Sequence, residues 1–155
     1  MRRFLAAFAA LLTGLIATLV APVASAAAPA CPATPGDMLG PFYEPNAPVR
    51  STVGKGYVLR GTVRSSADCR AIPGARVELW LAGPRGYDDD HRATVIADTD
   101  GHYRFESEVP GPYERRPPHI HVRVAHPGYR TLVTQHYVER GMVEATFDLV
   151  LSREK

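Results

Sequence analysis

The sequence HIHVRVA, residues 119–125, alternates between polar and apolar side chains without a break. Side chains two positions apart on a β-strand lie on the same side of the sheet. The apolar side chains of this strand would therefore face a hydrophobic core. The polar ones would share the opposite face: His119, His121 and Arg123. The stretch predicts a strand with one buried side and one side suited to chemistry.

Six further runs show strand-like patterns: Tyr57–Arg64, Arg76–Leu81, Ala93–Ala97, His102–Glu106, Thr131–Gln135 and Ala145–Leu151. Turn-forming pairs such as Pro73-Gly74 and Pro127-Gly128 separate them. In Arg76–Leu81 the alternation places Glu78 and Trp80 on the side away from the core. No helical period is evident after the N-terminal segment. Seven short strands at this spacing predict an all-β fold, an antiparallel β-sandwich.

The first residues have the pattern of a secretory signal peptide. Met1-Arg2-Arg3 is a basic start, residues 4–23 are apolar and uncharged, and Ala24-Ser25-Ala26 supplies a small-residue cleavage site. We expect cleavage after Ala26 and a secreted or extracytoplasmic protein without stable membrane insertion. A retained anchor is the alternative, since about 20 apolar residues can span a bilayer. Export by the general or the twin-arginine route stays open.

The rest of the chain is expected to form one domain with an extension. Residues 27–50 are rich in proline and alanine and predict an extended arm, and residues 51–155 would form the sandwich. The net charge of the whole chain is +2, and loss of Arg2 and Arg3 would balance it. No basic stretch remains, so nucleic acid is not an expected partner.

The two cysteines, Cys31 and Cys69, would reach an oxidising compartment. A disulfide between them is therefore favoured. Two buried free thiols are the alternative.

The strongest chemical signal is the pair His119 and His121. Two imidazoles on one face of a strand can converge on a metal ion, although such pairs also occur on solvent-facing strands. Upstream, Arg116-Pro117-Pro118 forms an extended segment that would fix Arg116 beside the pair. Tyr87 and Tyr113 lie in loops and could add phenolate oxygens, which suit Fe(III) better than zinc or copper.

Several motifs carry a resemblance to a known family: Gly40-Pro41-Phe42-Tyr43, Leu59-Arg60-Gly61, residues 72–80 (IPGARVELW), Thr99-Asp100-x-x-Tyr103-x-Phe105, Pro110-Gly111-Pro112-Tyr113, residues 116–121 (RPPHIH) and Leu132-x-Thr134-Gln135-x-Tyr137. Together they resemble the intradiol ring-cleavage dioxygenases, which include catechol and protocatechuate dioxygenases. The stretch from Pro110 to His121, joined to Thr134-Gln135, is the most specific part.

The resemblance implies a non-haem Fe(III) cofactor, with catecholic small molecules and O2 as substrates. Four residues would be the iron ligands: Tyr87, Tyr113, His119 and His121. By the same resemblance Tyr113 would be the phenolate that leaves when substrate binds. Arg116 would stabilise negative charge on the ring, and Gln135 would add a hydrogen bond in the pocket. Catalytic roles are thus implied for Arg116, Gln135 and Tyr113.

The short spacing from Tyr113 to His119 predicts a shallow, open pocket. The run Asp88-Asp89-Asp90 could bind a cation but is interpreted as a solvated loop. Parts of the pattern also resemble non-catalytic prealbumin-like binding modules, and a homologue that binds iron or catechols without turnover is a further alternative. The remaining histidines are interpreted as surface residues: His91, His102, His126 and His136.

Overall fold

A computed structural model describes residues 31–155, and the predicted signal peptide lies outside this range. The described chain forms eight strands: β1 (Tyr57–Ser65), β2 (Arg76–Leu81), β3 (Arg92–Ile96), β4 (His102–Ser107), β5 (His119–Ala125), β6 (Leu132–Tyr137), β7 (Glu144–Thr146) and β8 (Leu149–Leu151). A single 3-10 turn, Asp89–His91, precedes β3. None of the helical turns in residues 31–155 has the length and apolar character needed to cross a membrane.

The strands form two four-stranded sheets, which confirms the predicted β-sandwich. One sheet has the order β3-β2-β5-β6 and is antiparallel throughout. In the other, β4 pairs antiparallel with β1, while β7 and β8 pair parallel with successive parts of β1. The pairing is antiparallel, as predicted, except where β7 and β8 pair with β1.

The predicted strand Ala145–Leu151 is divided into β7 and β8 at Phe147-Asp148. The Phe147 amide donates to the Arg60 carbonyl at 2.7 Å, and the Thr62 amide donates to the Asp148 carboxylate at 2.8 Å. A side chain at Gly61 would clash with the Phe147 backbone. The Asp148 carboxylate thus takes the place of a backbone acceptor in the β-ladder, and the strand is interrupted here.

The hydrophobic core lies between the two sheets. Its largest fully buried side chains include Tyr57, Leu59, Leu79, Phe105 and Ile120. Burial of such side chains contributes about 1.5–3 kcal/mol each relative to exposure. The alternation predicted for β2 and β5 is observed, because every second residue of each strand lies in this core: Val77, Leu79, Leu81, Ile120, Val122 and Val124.

Residues 31–50, here called the N-terminal arm, contain no strand and run along the β3-β2-β5-β6 sheet. The Asp37 amide donates to the Val133 carbonyl at 2.9 Å, and the Thr94 amide donates to the Pro48 carbonyl at 2.8 Å. These contacts reach both edge strands of the sheet. The disulfide Cys31–Cys69 joins the start of the arm to the loop after β1, with Cα atoms 5.4 Å apart, which confirms that prediction.

Candidate metal centre

The outer face of the β3-β2-β5-β6 sheet, turned away from the core, carries the predicted chemical groups. The register places Trp80 of β2, His121 of β5 and Gln135 of β6 in one row across the strands. His119 pairs with Tyr137 in the next row. The strand alternation therefore brings both histidines and Gln135 to one place.

Three donor atoms converge above this face. The Tyr87 hydroxyl lies 3.0 Å from His121 Nε2 and 3.2 Å from His119 Nε2. The two Nε2 atoms are 3.1 Å apart. Both histidines are 2% exposed, whereas Tyr87 is half-buried on the loop after β2. The sequence-predicted ligands Tyr87, His119 and His121 thus meet in the folded chain.

The imidazoles are neutral and one of them is oriented by the backbone. His119 Nδ1 lies 2.7 Å from the Pro117 carbonyl, to which it donates, so Nε2 carries the lone pair. Burial lowers the pKa of His119. Burial, followed by the proximity of His119 and Arg116, lowers the pKa of His121 to about 4. Neutral imidazole is the form that binds metals.

This donor set fits a metal ion. Bonds of about 2.0–2.2 Å that meet at roughly right angles would place neighbouring ligand atoms about 3 Å apart, as the three atoms are. The mutual hydrogen bonds cannot all form at once, since only the phenol and one imidazole can donate. Burial raises the pKa of Tyr87, partly opposed by Arg116, so phenolate formation needs a strong Lewis acid.

Tyr113 lies beside the cluster but does not join its hydrogen bonds. Its ring meets the Tyr87 ring edge-on, with centroids 5.2 Å apart, and meets Phe42 at 5.3 Å. Within residues 31–155 its hydroxyl makes no hydrogen bond to either imidazole. The structure therefore places Tyr113 in the wall of the pocket, next to the three converging donors.

Arg116 and Gln135 form a second polar group at the same pocket. Arg116 Nη2 donates to Gln135 Oε1 at 2.6 Å and to the Tyr137 hydroxyl at 2.8 Å. Gln135 Nε2 donates to the Met38 carbonyl at 2.7 Å. The Tyr137 hydroxyl donates to Asp37 at 3.0 Å. A fixed guanidinium thus stands at the rim without contacting the imidazoles.

The N-terminal arm supplies one side of the pocket, which has a volume of about 150 Å³. Met38, Gly40, Pro41 and Phe42 line it together with both histidines. The Phe42 ring stacks on the Tyr87 ring at 4.4 Å and 14°. Ligand pockets commonly measure about 300–1,000 Å³, so this one suits a single small ring. The short spacing from Tyr113 to His119 predicted a shallow, open pocket, but the N-terminal arm forms a wall on one side of it.

Sequence reasoning missed Met38 and Phe42 as pocket residues and Tyr137 as a partner of Arg116. The motifs Gly40-Pro41-Phe42-Tyr43 and Gln135-x-Tyr137 are the sequence features that could have indicated them. No periodicity links the arm to β6, so their contact was not predictable from pattern alone.

Two of the histidines interpreted as surface residues are not on the surface. His91 is 8% exposed, and its Nδ1 lies 2.5 Å from Asp88 Oδ1. His136 is half-buried, with Nε2 2.7 Å from the Tyr57 hydroxyl. Both predictions failed because each imidazole finds a polar partner: His91 in the cap of its own turn, and His136 on a strand of the other sheet. The acidic run is not simply solvated either, since Asp88 caps the turn that contains His91.

Comparisons with known proteins agree with this geometry. A family profile described as "Dioxygenase" matches residues 43–152. The chain is 32% identical over 143 residues to a catechol 1,2-dioxygenase of Candida albicans, covering 67% of this chain and 46% of that protein. It is 30% identical over 137 residues to a chlorocatechol 1,2-dioxygenase of Pseudomonas putida, covering 66% and 52%. The chain thus spans about half the length of these curated relatives.

Solved structures show the same architecture. The dioxygenase domain of a dioxygenase–carbohydrate-binding fusion from Streptomyces sp. SirexAA-E aligns with a TM-score of 0.68 and 25% identity, covering 79% of this chain and 99% of that one. Chlorocatechol 1,2-dioxygenase from Pseudomonas putida aligns with a TM-score of 0.66 and 25% identity, covering 74% and 70%.

Proposed function

The chain belongs to the intradiol ring-cleavage dioxygenase family, and from this we propose that it is a non-haem Fe(III) dioxygenase that opens catechol-type rings between their two hydroxyls. The observation that carries the proposal is the convergence of one phenol and two neutral imidazoles, with their donor atoms 3.0–3.2 Å apart. A binding module without metal chemistry has no use for such an arrangement.

Tyr87, His119 and His121 would hold the iron, and Tyr113 would complete the protein ligands. The iron held by these residues would supply a Lewis acid that activates a catechol ring towards O2. The small pocket and its aromatic wall of Phe42 and Tyr113 favour single-ring substrates. Both oxygen atoms of O2 would end in the product, a cis,cis-muconate.

Two residues beside the cluster have separate tasks in this proposal. The Tyr113 hydroxyl makes no hydrogen bond within the described residues, so its oxygen would be available to take up a substrate proton when it acts as an iron ligand. Arg116 is fixed by Gln135 and Tyr137 and would stabilise negative charge on the ring. Gln135 positions the guanidinium and is itself held by the arm.

The proposal is tested by the visible absorption spectrum of the purified, iron-loaded protein. We expect a broad tyrosinate-to-iron charge-transfer band that shifts when catechol is added without oxygen. Admitting O2 should then yield a muconate. A colourless protein that holds no iron would favour the prealbumin-like binding module, and a coloured protein that shifts with catechol but never consumes O2 would favour a degenerate homologue.

Replacing single residues separates the proposed roles. Tyr113→Phe should weaken and shift the charge-transfer band and slow turnover, because one phenolate is lost. Arg116→Ala should keep the band and lose most of the turnover, because the metal ligands stay in place. Unchanged turnover in both variants would contradict the assigned roles.

We also propose that the enzyme acts outside the cytoplasm, on phenolic compounds that it meets there. This rests on the pattern of residues 1–26 and fits the Cys31–Cys69 disulfide. Cell fractionation with N-terminal sequencing should find a mature chain that begins at Ala27. An uncleaved chain in the cytoplasm would contradict this part of the proposal.

A further inference from the structure

The two histidines of the cluster are held in different ways. His119 is oriented by its hydrogen bond to the Pro117 carbonyl. The Nδ1 atom of His121 is buried and has no hydrogen-bond partner within residues 31–155. The Met38 carbonyl is near enough to His121 to raise its pKa slightly, but no hydrogen bond of standard geometry joins the two. Metal-binding histidines usually donate from the second nitrogen to a fixed acceptor, so His121 needs another device.

Trp80 provides a flat surface for the His121 ring. The indole and the imidazole are parallel to within 3°, with centroids 4.9 Å apart. The two residues are direct partners in the register of β2 and β5. Trp80 is 2% exposed, and the Tyr43 ring of the arm packs against it at 5.2 Å. The indole is therefore itself immobilised between the sheet and the arm.

Gly40 of the arm limits the His121 ring as well. A Cβ atom at Gly40 would lie 2.9 Å from His121 Cε1, closer than van der Waals contact allows. Gly40 also has a φ of +75°, which disfavours any other residue. The arm backbone thus passes so close to the imidazole that a side chain at this position would press against the ring.

We propose that Trp80 and Gly40 are positioning residues that fix the ring plane of His121 by stacking and close contact in place of a hydrogen bond. Rotation of the imidazole about its Cβ–Cγ bond would break the parallel stack or press Cε1 against Gly40. The ring is therefore held with Nε2 directed at Tyr87 and His119. The inference rests on the proposed function only in treating His121 as a metal ligand.

The ring geometry can be tested without metal. An indole parallel to an imidazole shields its carbon-bound protons, so NMR of the metal-free protein should show the His121 Cε1 proton shifted upfield. Trp80→Leu should abolish this shift, while Trp80→Phe should retain much of it. Thermal unfolding of each metal-free variant shows whether the fold is intact.

Iron binding provides the second measurement, made by competition with a chelator. We expect Trp80→Leu to weaken Fe(III) binding about 10–100-fold, the range for lost second-shell partners, and Trp80→Phe to restore most of the affinity. Gly40→Ala, which leaves the sheet untouched, should weaken binding with Trp80 still present. It therefore keeps the test open if Trp80→Leu does not fold.

The outcomes separate the two proposals. If the wild-type protein binds no iron but shows the upfield shift, and Trp80→Leu removes it, the proposed function fails while the ring geometry stands. If wild type binds iron and both Trp80→Leu and Gly40→Ala bind it equally well, with His121 signals unmoved, the positioning roles are overturned.

Discussion

Both faces of the β3-β2-β5-β6 sheet carry buried side chains, but the two faces are chemically opposite. The inner face, against the second sheet, is lined by aliphatic side chains such as Leu79, Ile120 and Val122. The outer face carries six buried polar or charged side chains beneath the arm and the Tyr87 loop: Glu78, Arg92, Thr94, His119, His121 and Gln135. The amount of burial therefore does not distinguish a core from a site.

The faces differ in how completely their polar atoms are satisfied. Within residues 31–155, three buried side-chain polar atoms lack a hydrogen bond: Trp80 Nε1, Arg92 Nε and His121 Nδ1. All three lie in one cross-strand row of the outer face. A buried polar atom without a hydrogen bond costs free energy, and of the three only Arg92 Nε has an ion-pair partner, the Asp89 carboxylate at 3.4 Å. The inner face thus stabilises the fold. The outer face keeps buried polar atoms that lower the stability, which is consistent with a functional site.

The largest effect should come from removing a ligand on the outer face. His119→Ala should weaken Fe(III) binding by more than about 100-fold, since loss of a ligand exceeds the effect of losing its supporting contacts. The metal-free protein should remain folded, because the core lies on the other face. Chelator competition and urea unfolding measure the two quantities. Loss of the fold would mean that the faces are not separable.

Ile120 lies between the two histidines in the sequence, and its replacement tests the inner face instead of the outer one. Its side chain is fully buried on the inner face, so Ile120→Ala should lower the free energy of unfolding by about 2–5 kcal/mol. Fe(III) affinity, measured where the variant is folded, should change much less than in His119→Ala. A loss of affinity as large as in His119→Ala would show that core packing sets the ligand geometry.

Replacing Glu78 tests whether its charged hydrogen bonds hold the arm against the sheet. It accepts from Arg123 at 2.6 Å, from Arg76 at 3.3 Å and from the Tyr43 hydroxyl at 3.2 Å. Glu78→Gln should lower the free energy of unfolding by about 1–3 kcal/mol and speed proteolysis within the arm. Both are measured by urea unfolding and limited digestion.

The matched control is Glu106→Gln on the other sheet. Glu106 pairs with the exposed Arg104 at 3.0 Å, and such surface pairs contribute only about 0–1 kcal/mol. Equal effects of the two substitutions would contradict a special role for the charges under the arm.

The smallest effect concerns pH and the inner face. Burial lowers the pKa of His136, so the folded state binds fewer protons than the unfolded chain. The free energy of unfolding keeps its full value above the unfolded pKa of about 6.5. It falls as the pH drops from there through the lower pKa of the folded state. His136→Gln, which keeps a partner for Tyr57, should lessen this fall in unfolding experiments from pH 7 to 5. An unchanged pH profile would remove His136 as a cause.

The division between the faces was predictable from the sequence, because strict alternation in Arg76–Leu81 and residues 119–125 fixes which side chains share a side. The same pattern predicted that His119, His121 and Arg123 lie together. Assignment of Tyr87 to the cluster required the family resemblance, since nothing in its loop has a period. Geometry then placed its hydroxyl beside both imidazoles.

What covers the outer face was not predictable. The arm has no periodicity, and its contacts are made by single carbonyls and ring faces. The parallel pairing of β7 and β8 with β1 was also missed, because strand alternation sets faces but not neighbours or direction. The burial of His136 depends on Tyr57 in the opposite sheet, which no local pattern specifies.

The arm also has a consequence for the order of folding. The hydrogen bond from Gln135 to Met38 spans 97 residues of sequence, and that from Tyr137 to Asp37 spans 100. Contacts between such distant residues close the largest loops and form slowly. The arm is synthesised before the strands that it covers, and β6 is the last strand in sequence of the sheet beneath it. We therefore expect the pocket to be completed last, so that iron uptake reports a finished fold and does not nucleate one.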